Sequence, residues 1–249
     1  MTHPEDGESW GCQPEINLQA DFREVEKKTV LEMLRDGQTR AKVLELASQA
    51  HRFAGQIISR VEQELGELLQ PVACKAGCSF CCYHQILITP PEAFQIGDYL
   101  QRKFTDHDQQ ALAVKAQKNI QVVDGKDLEA IVHARPQLPC IFLQNNRCSL
   151  YEVRPLGCRA WSSSRAEQCK IGLETGDPLA GIGGYIHRQK ISVAIHTGLL
   201  QGTKTLGLES GYMDLAQAVN VLLHNDLDNL MDRWLNGEEV FSAIIDYRV

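Results

Sequence analysis

Four cysteines fall within nine residues, CKAGCSFCC at positions 74–82, and two of them are adjacent. Nothing else in the chain limits its local fold as tightly. Thiolates drawn together raise each other's pKa, so a cluster of them needs a cation. Cys74, Cys78, Cys81 and Cys82 stand at relative positions 0, 4, 7 and 8. On an α-helix they would share an arc of about 100°, spread over about 12 Å of axis. One zinc ion, with Zn–S bonds near about 2.3 Å, does not easily gather all four from a straight helix. A multinuclear site, an iron–sulfur cluster, or a bent knuckle-like backbone permitted by Gly77 does so more readily. Cys81 and Cys82 point in different directions as neighbours, so they serve different metals or only one is a ligand.

A second group follows: Cys140, Cys148 and Cys158, and then Cys169. The apolar segments CIFL and CSLY flank the polar QNNR, the pattern of a small β-hairpin that brings Cys140 and Cys148 near each other. RPLGCR reads as a sharply directed turn, with Pro155 fixing the presentation of Cys158. The two groups offer seven or eight thiols, a donor set for zinc, iron–sulfur or copper(I). A lone buried cysteine is commonly a small hydrophobe, and Cys12, far from the others in the expected tail, reads as an incidental thiol. Four in nine residues do not. A redox-active dithiol at Cys81–Cys82 is the competing chemistry.

The combined pattern is C-x3-C-x2-C-C, then P-C-x-F-L, then C-S-L-Y-x-x-R-P-x-x-C-R. It resembles the YkgJ-type cysteine-cluster proteins, whose CxxCxxCC domain is described as zinc- or iron-chelating. The likeness covers about residues 70–165. It implies a metal site built from Cys74, Cys78, Cys81, Cys82, Cys140, Cys148 and Cys158, with Cys169 as a further candidate. The same domain occurs in proteins similar to flagellin lysine N-methylases, which makes iron–sulfur-dependent methyl transfer an alternative. The extra adjacent cysteine sets this spacing apart from the usual radical methionine-adenosyl motif. No Gly-rich loop follows a strand to mark a dinucleotide site, and GIGG at 181–184 reads as a loop.

Near the cysteines, Arg154 and Arg159 flank Cys158. They are candidates to offset thiolate charge or to bind an anionic cofactor or substrate, with Arg154 alternatively paired to Glu152. Tyr151 is expected to pack against the hairpin. His84 is a candidate extra ligand. His51 reads as structural or exposed. His187 and His196 fall on one expected helix with no carboxylate between them and read as core or surface residues.

Away from the cysteines the chain is helical in pattern. Leu18 to Leu69 carries apolar stripes at helical spacing, broken near Asp36-Gly37 and ended by Pro71. Further helices are expected after Thr89, over 106–122 with Asp106 as cap, over 126–134, over 188–200, and as one or two helices over 213–235. Residues 162–184, rich in Ser and Gly, read as loop. The fold class is therefore mostly α: a helical scaffold around a cysteine-rich metal-binding knot with a small β-hairpin. Residues 1–15 are expected to be a tail. Residues 16–249 form one domain, with the cysteine core at about 70–170.

The formal net charge is -7, which argues against a nucleic-acid or anionic-membrane surface. No apolar run approaches the ~20 residues of a membrane span, and the polar start carries no signal-peptide pattern. A cytoplasmic setting is expected, where clustered cysteines serve metal or redox chemistry. The expected function is metal binding, through zinc or an iron–sulfur cluster. A metal-delivery or redox-sensing partner protein is a further alternative. The expected partners are the metal ion and a protein partner or protein substrate.

Overall fold

The computed structural model describes residues 18–176 and 185–241. The expected tail at 1–15, Cys12 and the GIGG segment lie outside the described residues.

Two long helices open the fold. α1 spans Leu18–Arg35 and α2 spans Arg40–Leu65. Gly37, at φ +119°, makes the break between them. Thr39 caps α2 by accepting from the Lys42 N–H at 3.4 Å. Of the expected stripe, Val43, Ala47, Ala50 and Ala54 are buried, with Leu46 beside them in place of Leu44, while Leu68 beyond the helix is exposed. Gly66 ends the helix at φ +48°.

α3, Pro90–Lys103, is the central helix, with nearly every residue from Pro90 to Leu100 buried. Thr89 and Glu92 form its capping box, and two prolines occupy its first turn. α4 follows at Asp106–Val123, capped by Thr105 with Asp108 rather than by Asp106. α5 covers Leu128–Ala134, capped by Asp127. Two short antiparallel pairs are present. β1 (Leu87–Ile88) pairs with β4 (Met213–Asp214), and β2 (Leu143–Gln144) pairs with β3 (Arg147–Cys148). Between these come α6, Leu156–Ala160, and α7, Ala166–Thr175. α8 runs from Ile186 to Thr205. α9, Leu215–Leu223, and α10, Leu227–Leu235, are capped by Asp214 and Asp226.

The main core gathers on α3 and is filled by Phe94, Trp234 and Phe241, with the Phe94 and Trp234 rings 5.5 Å apart. A smaller cluster of Ala50, Ala54, Leu156, Ile191 and Ile195 joins α2, α6 and α8. α1 lies directly on α8. Gly198 and Gly202 allow this, because a Cβ at Gly202 would sit 2.6 Å from the Val30 Cβ, and one at Gly198 would strike the Arg23 carbonyl oxygen.

The mostly helical fold with a small hairpin is as the sequence predicts. Two expectations need correction. Residues 166–175, expected as loop, form α7, where Ala166, Glu167, Gln168, Lys170, Leu173 and Glu174 are good helix formers. The RPLGCR turn is in fact a single helical turn, α6, with Pro155 at its N-cap. The β1–β4 pair was not expected at all.

Candidate metal centre

The first cysteine segment is neither an α-helix nor a loose loop. Residues 75–78 form a tight turn in which the Cys78 N–H donates to the Lys75 carbonyl at 2.9 Å. Gly77 occupies its third position at φ +90°, a conformation that favours glycine in a type II turn. Phe80–Tyr83 then coil into a 3₁₀ turn. Of the two backbones that the spacing allows, the chain takes the bent, knuckle-like one. This wraps the sulfurs around a turn instead of spreading them along an axis.

Each end of the knuckle is tied down. The Ser163 N–H donates to the Cys74 Sγ at 3.4 Å, and the Ala73 N–H donates to the Ser163 carbonyl at 2.8 Å. Ser79 is buried and its hydroxyl meets Asn146 Oδ1 at 3.2 Å, joining the knuckle to the hairpin. The Cys140 N–H donates to the Cys82 carbonyl at 2.6 Å, joining the two cysteine groups through the backbone.

The hairpin presents Cys148. Asn145 and Asn146 both have positive φ, +50° and +58°, the arrangement of a two-residue type I′ turn. Cys148 pairs with Leu143, and the Leu143 N–H donates to the Cys140 carbonyl at 2.9 Å. The expected closeness of the Cys140 and Cys148 segments is present. Cys158 arrives on α6, and Cys169 on α7, which packs against the 3₁₀ turn of Cys81 and Cys82.

All eight of these cysteines are free thiols. Their mutual electrostatics divide them. Cys140 feels Cys148 and Cys81; Cys148 feels Cys81; Cys158 feels Cys140, Cys148 and Cys81. Cys81, Cys140, Cys148 and Cys158 are thus coupled in every pair. Cys78 instead feels Cys74, Cys81 and Cys169. Burial pushes the Cys140 thiol up to about 12 and the Cys158 thiol well above its ordinary value. Burial also raises Cys148 and Cys78. A hydrogen bond with Cys82, and then burial, raise Cys81. Arg154 is the cation that opposes these shifts at Cys81, Cys148 and Cys158.

Whether these residues suit a metal is a question of donor chemistry and of distance. Four buried thiols whose ionised forms would repel one another, with a single compensating arginine, suit a soft or borderline cation, which would hold them as thiolates. Among the described residues, no three His, Cys, Asp or Glu side chains are close enough to grip one ion. The donor set fits zinc or iron, and the tetrad is convergent without being closed.

The flanking residues take varied roles. Arg159 is committed to the chain itself, donating to the carbonyls of Arg154 at 2.8 Å and Glu152 at 3.0 Å. It therefore braces the turn before α6. Arg154 does not pair with Glu152; its guanidinium lies 4.7 Å over the Tyr151 ring. Tyr151 is largely exposed. His84 stacks on Trp161 with ring centroids 4.6 Å apart, and burial pushes its pKa down to about 4.

One cluster had no signal in the sequence. Glu92 is fully buried and accepts from the His196 ring Nε2 at 2.9 Å and from the Thr89 and Leu156 N–H groups, each at 2.9 Å. His51 Nε2 lies 3.4 Å from the other oxygen. Burial opposes ionisation here, but the two histidines outweigh it and hold Glu92 well below the usual carboxylate range. Leu156 opens α6, so this carboxylate anchors the helix that carries Cys158. His187, with Arg188, likewise holds Glu62 on α2, at 2.9 and 2.5 Å. The carboxylates that these α8 histidines seemed to lack come from other helices.

No curated protein and no solved structure matches the chain significantly. Residues 73–175, which hold all eight clustered cysteines, match the family model "CxxCxxCC: Putative zinc- or iron-chelating domain", the domain that the cysteine pattern resembles.

Proposed function

We propose that this protein holds zinc or an iron–sulfur cluster through its cysteines, in two linked groups. Cys81, Cys140, Cys148 and Cys158 form the principal ligand set. Cys74, Cys78 and Cys169, with Cys82 as the remaining donor, form the second. The observation that carries this reading is the backbone that joins the cysteine knuckle to the hairpin, with the Cys140 N–H on the Cys82 carbonyl and Cys148 paired to Leu143, within a stretch that matches a zinc- or iron-chelating domain. Bound metal would supply the positive charge that the thiols lack and would add folding energy. Arg154 offsets the remaining negative charge, and the Ser163 N–H steadies Cys74. A reducing, cytoplasmic setting is part of the proposal and is supported by eight thiols standing free.

A second reading is a reactive or exchangeable centre: an iron–sulfur enzyme similar to the lysine N-methylases, or a metal-delivery or redox-sensing protein acting on a protein partner. The observation in its favour is that Cys74, Cys78, Cys81, Cys82 and Cys148 line an open cleft. Chelator competition separates the two readings. Metal retained for hours against excess chelator supports a structural centre, and metal lost within minutes supports an exchangeable one. Failure of anaerobically purified protein to hold any zinc or iron would sink both.

A further inference from the structure

The cleft over the cysteines has a volume of about 580 Å³. Its lining includes Lys75, Arg147, Arg154 and Arg188, and no Asp or Glu. That is an unusual wall for a chain of net charge -7. Arg188 is spoken for, since it donates to both oxygens of Glu62 at 2.5 and 2.9 Å and to Ser162 at 2.6 Å. The other three carry no ion pair among the described residues. Lys75 and Arg147 are exposed, one on the knuckle turn and the other on the hairpin. Arg154 faces the thiols and stacks on Tyr151. Lys75 and Arg147 sit on two segments that the Ser79–Asn146 contact and the Cys140–Cys82 hydrogen bond lock together.

Arg154, its guanidinium over the Tyr151 ring, lines the cleft with Cys81 and Cys148. Lys75 and Arg147 line it too, exposed and without an ion pair among the described residues. Unpaired cations lining one concave site attract a ligand with more than one negative group, because paired charge-assisted hydrogen bonds are the strong ones. We propose that this cleft binds a small organic anion carrying two or more phosphate or carboxylate groups, held by Lys75, Arg147 and Arg154. The inference depends on the metal reading only for what forms the cleft floor.

The test is isothermal titration of the full chain, as purified anaerobically, at low salt. Fructose 1,6-bisphosphate serves as the phosphate probe, tricarballylate as the carboxylate probe and fructose as the uncharged control. Metal content is measured on the same sample before and after. The expected result is saturable binding of one or both anions, no binding of fructose, and affinity that falls with added salt. The double variant Lys75→Gln, Arg147→Gln is expected to weaken binding at least about tenfold at unchanged metal content. Binding of the phosphate probe alone assigns a phosphate ester, and binding of the tricarboxylate alone assigns a polycarboxylate. No binding of either anion, or equal binding by the double variant, overturns the inference. If metal is present in that case, the metal reading stands. Anion binding lost in the double variant of a metal-free protein would uphold the cleft and sink the metal reading.

Discussion

Glu26 shows how a single residue sets a pH dependence far from the cysteines. It is fully buried on α1, and neither carboxylate oxygen has a close hydrogen-bond partner. Burial pushes its pKa up to about 7, a shift that nearby Gln49 only partly opposes. A carboxyl raised in the folded state stays protonated while the unfolded chain ionises. Stability therefore falls as pH rises from about 4.5 toward 7 and levels off above that, by at most about 3 kcal/mol. Glu26→Gln is expected to remove that loss, so urea unfolding should show the variant gaining on the wild type between pH 5 and 8. A constant difference across that range would refute it. Individual residues were the least legible part of the sequence. The cysteines announced themselves by spacing. Glu92 did not, because its partner His196 lies 104 residues away and the packing of both α3 and α8 on α2 brings them together. Glu62 and His187, 125 residues apart, were hidden for the same reason. Charge partners across helices leave no periodic trace.

At the scale of elements, the contact of α1 with α8 depends on two glycines one turn apart. Gly202→Ala would place a methyl group within 2.6–3.1 Å of the Val30 side chain. The expected cost is about 1–3 kcal/mol from overpacking, read as a lower denaturant midpoint with an unchanged slope. A neutral result would mean that α1 shifts freely on α8. The long helices were readable from their stripes, and Val43, Ala47, Ala50 and Ala54 of the α2 stripe are buried, although Leu46 rather than Leu44 completes the buried face. Thr89 and the paired prolines marked the start of α3. α7 was not readable, since Ser162–Ser164 and the following glycines outweighed a ten-residue run of helix formers. β1 and β4 have two residues each, too few for strand alternation to show. The hairpin was legible from two short apolar segments around polar QNNR, and the structure adds that Asn145 and Asn146 supply the two positive φ values of a type I′ turn.

For the molecule as a whole, the helical scaffold and the cysteine knot are not independent. The domain core packs partly against Cys140, Cys148 and Cys158, and Glu92 ties α3 and α8 to the start of α6. Metal bound at the tetrad would therefore stabilise the fold that bears it. Complete metal removal is expected to lower the melting temperature by several degrees, and restoring the metal should recover it. An unchanged melting temperature would confine the metal to a peripheral role. The most direct measurement is zinc, iron and sulfide analysis with an absorbance spectrum, on anaerobically purified wild type and Cys158→Ser in parallel, each shown by circular dichroism to be folded. The account predicts stoichiometric metal in the wild type and its loss in the variant, with a broad visible band if the centre is iron–sulfur and none if it is zinc. A folded wild type without zinc or iron, or a variant that keeps its full complement, would contradict it.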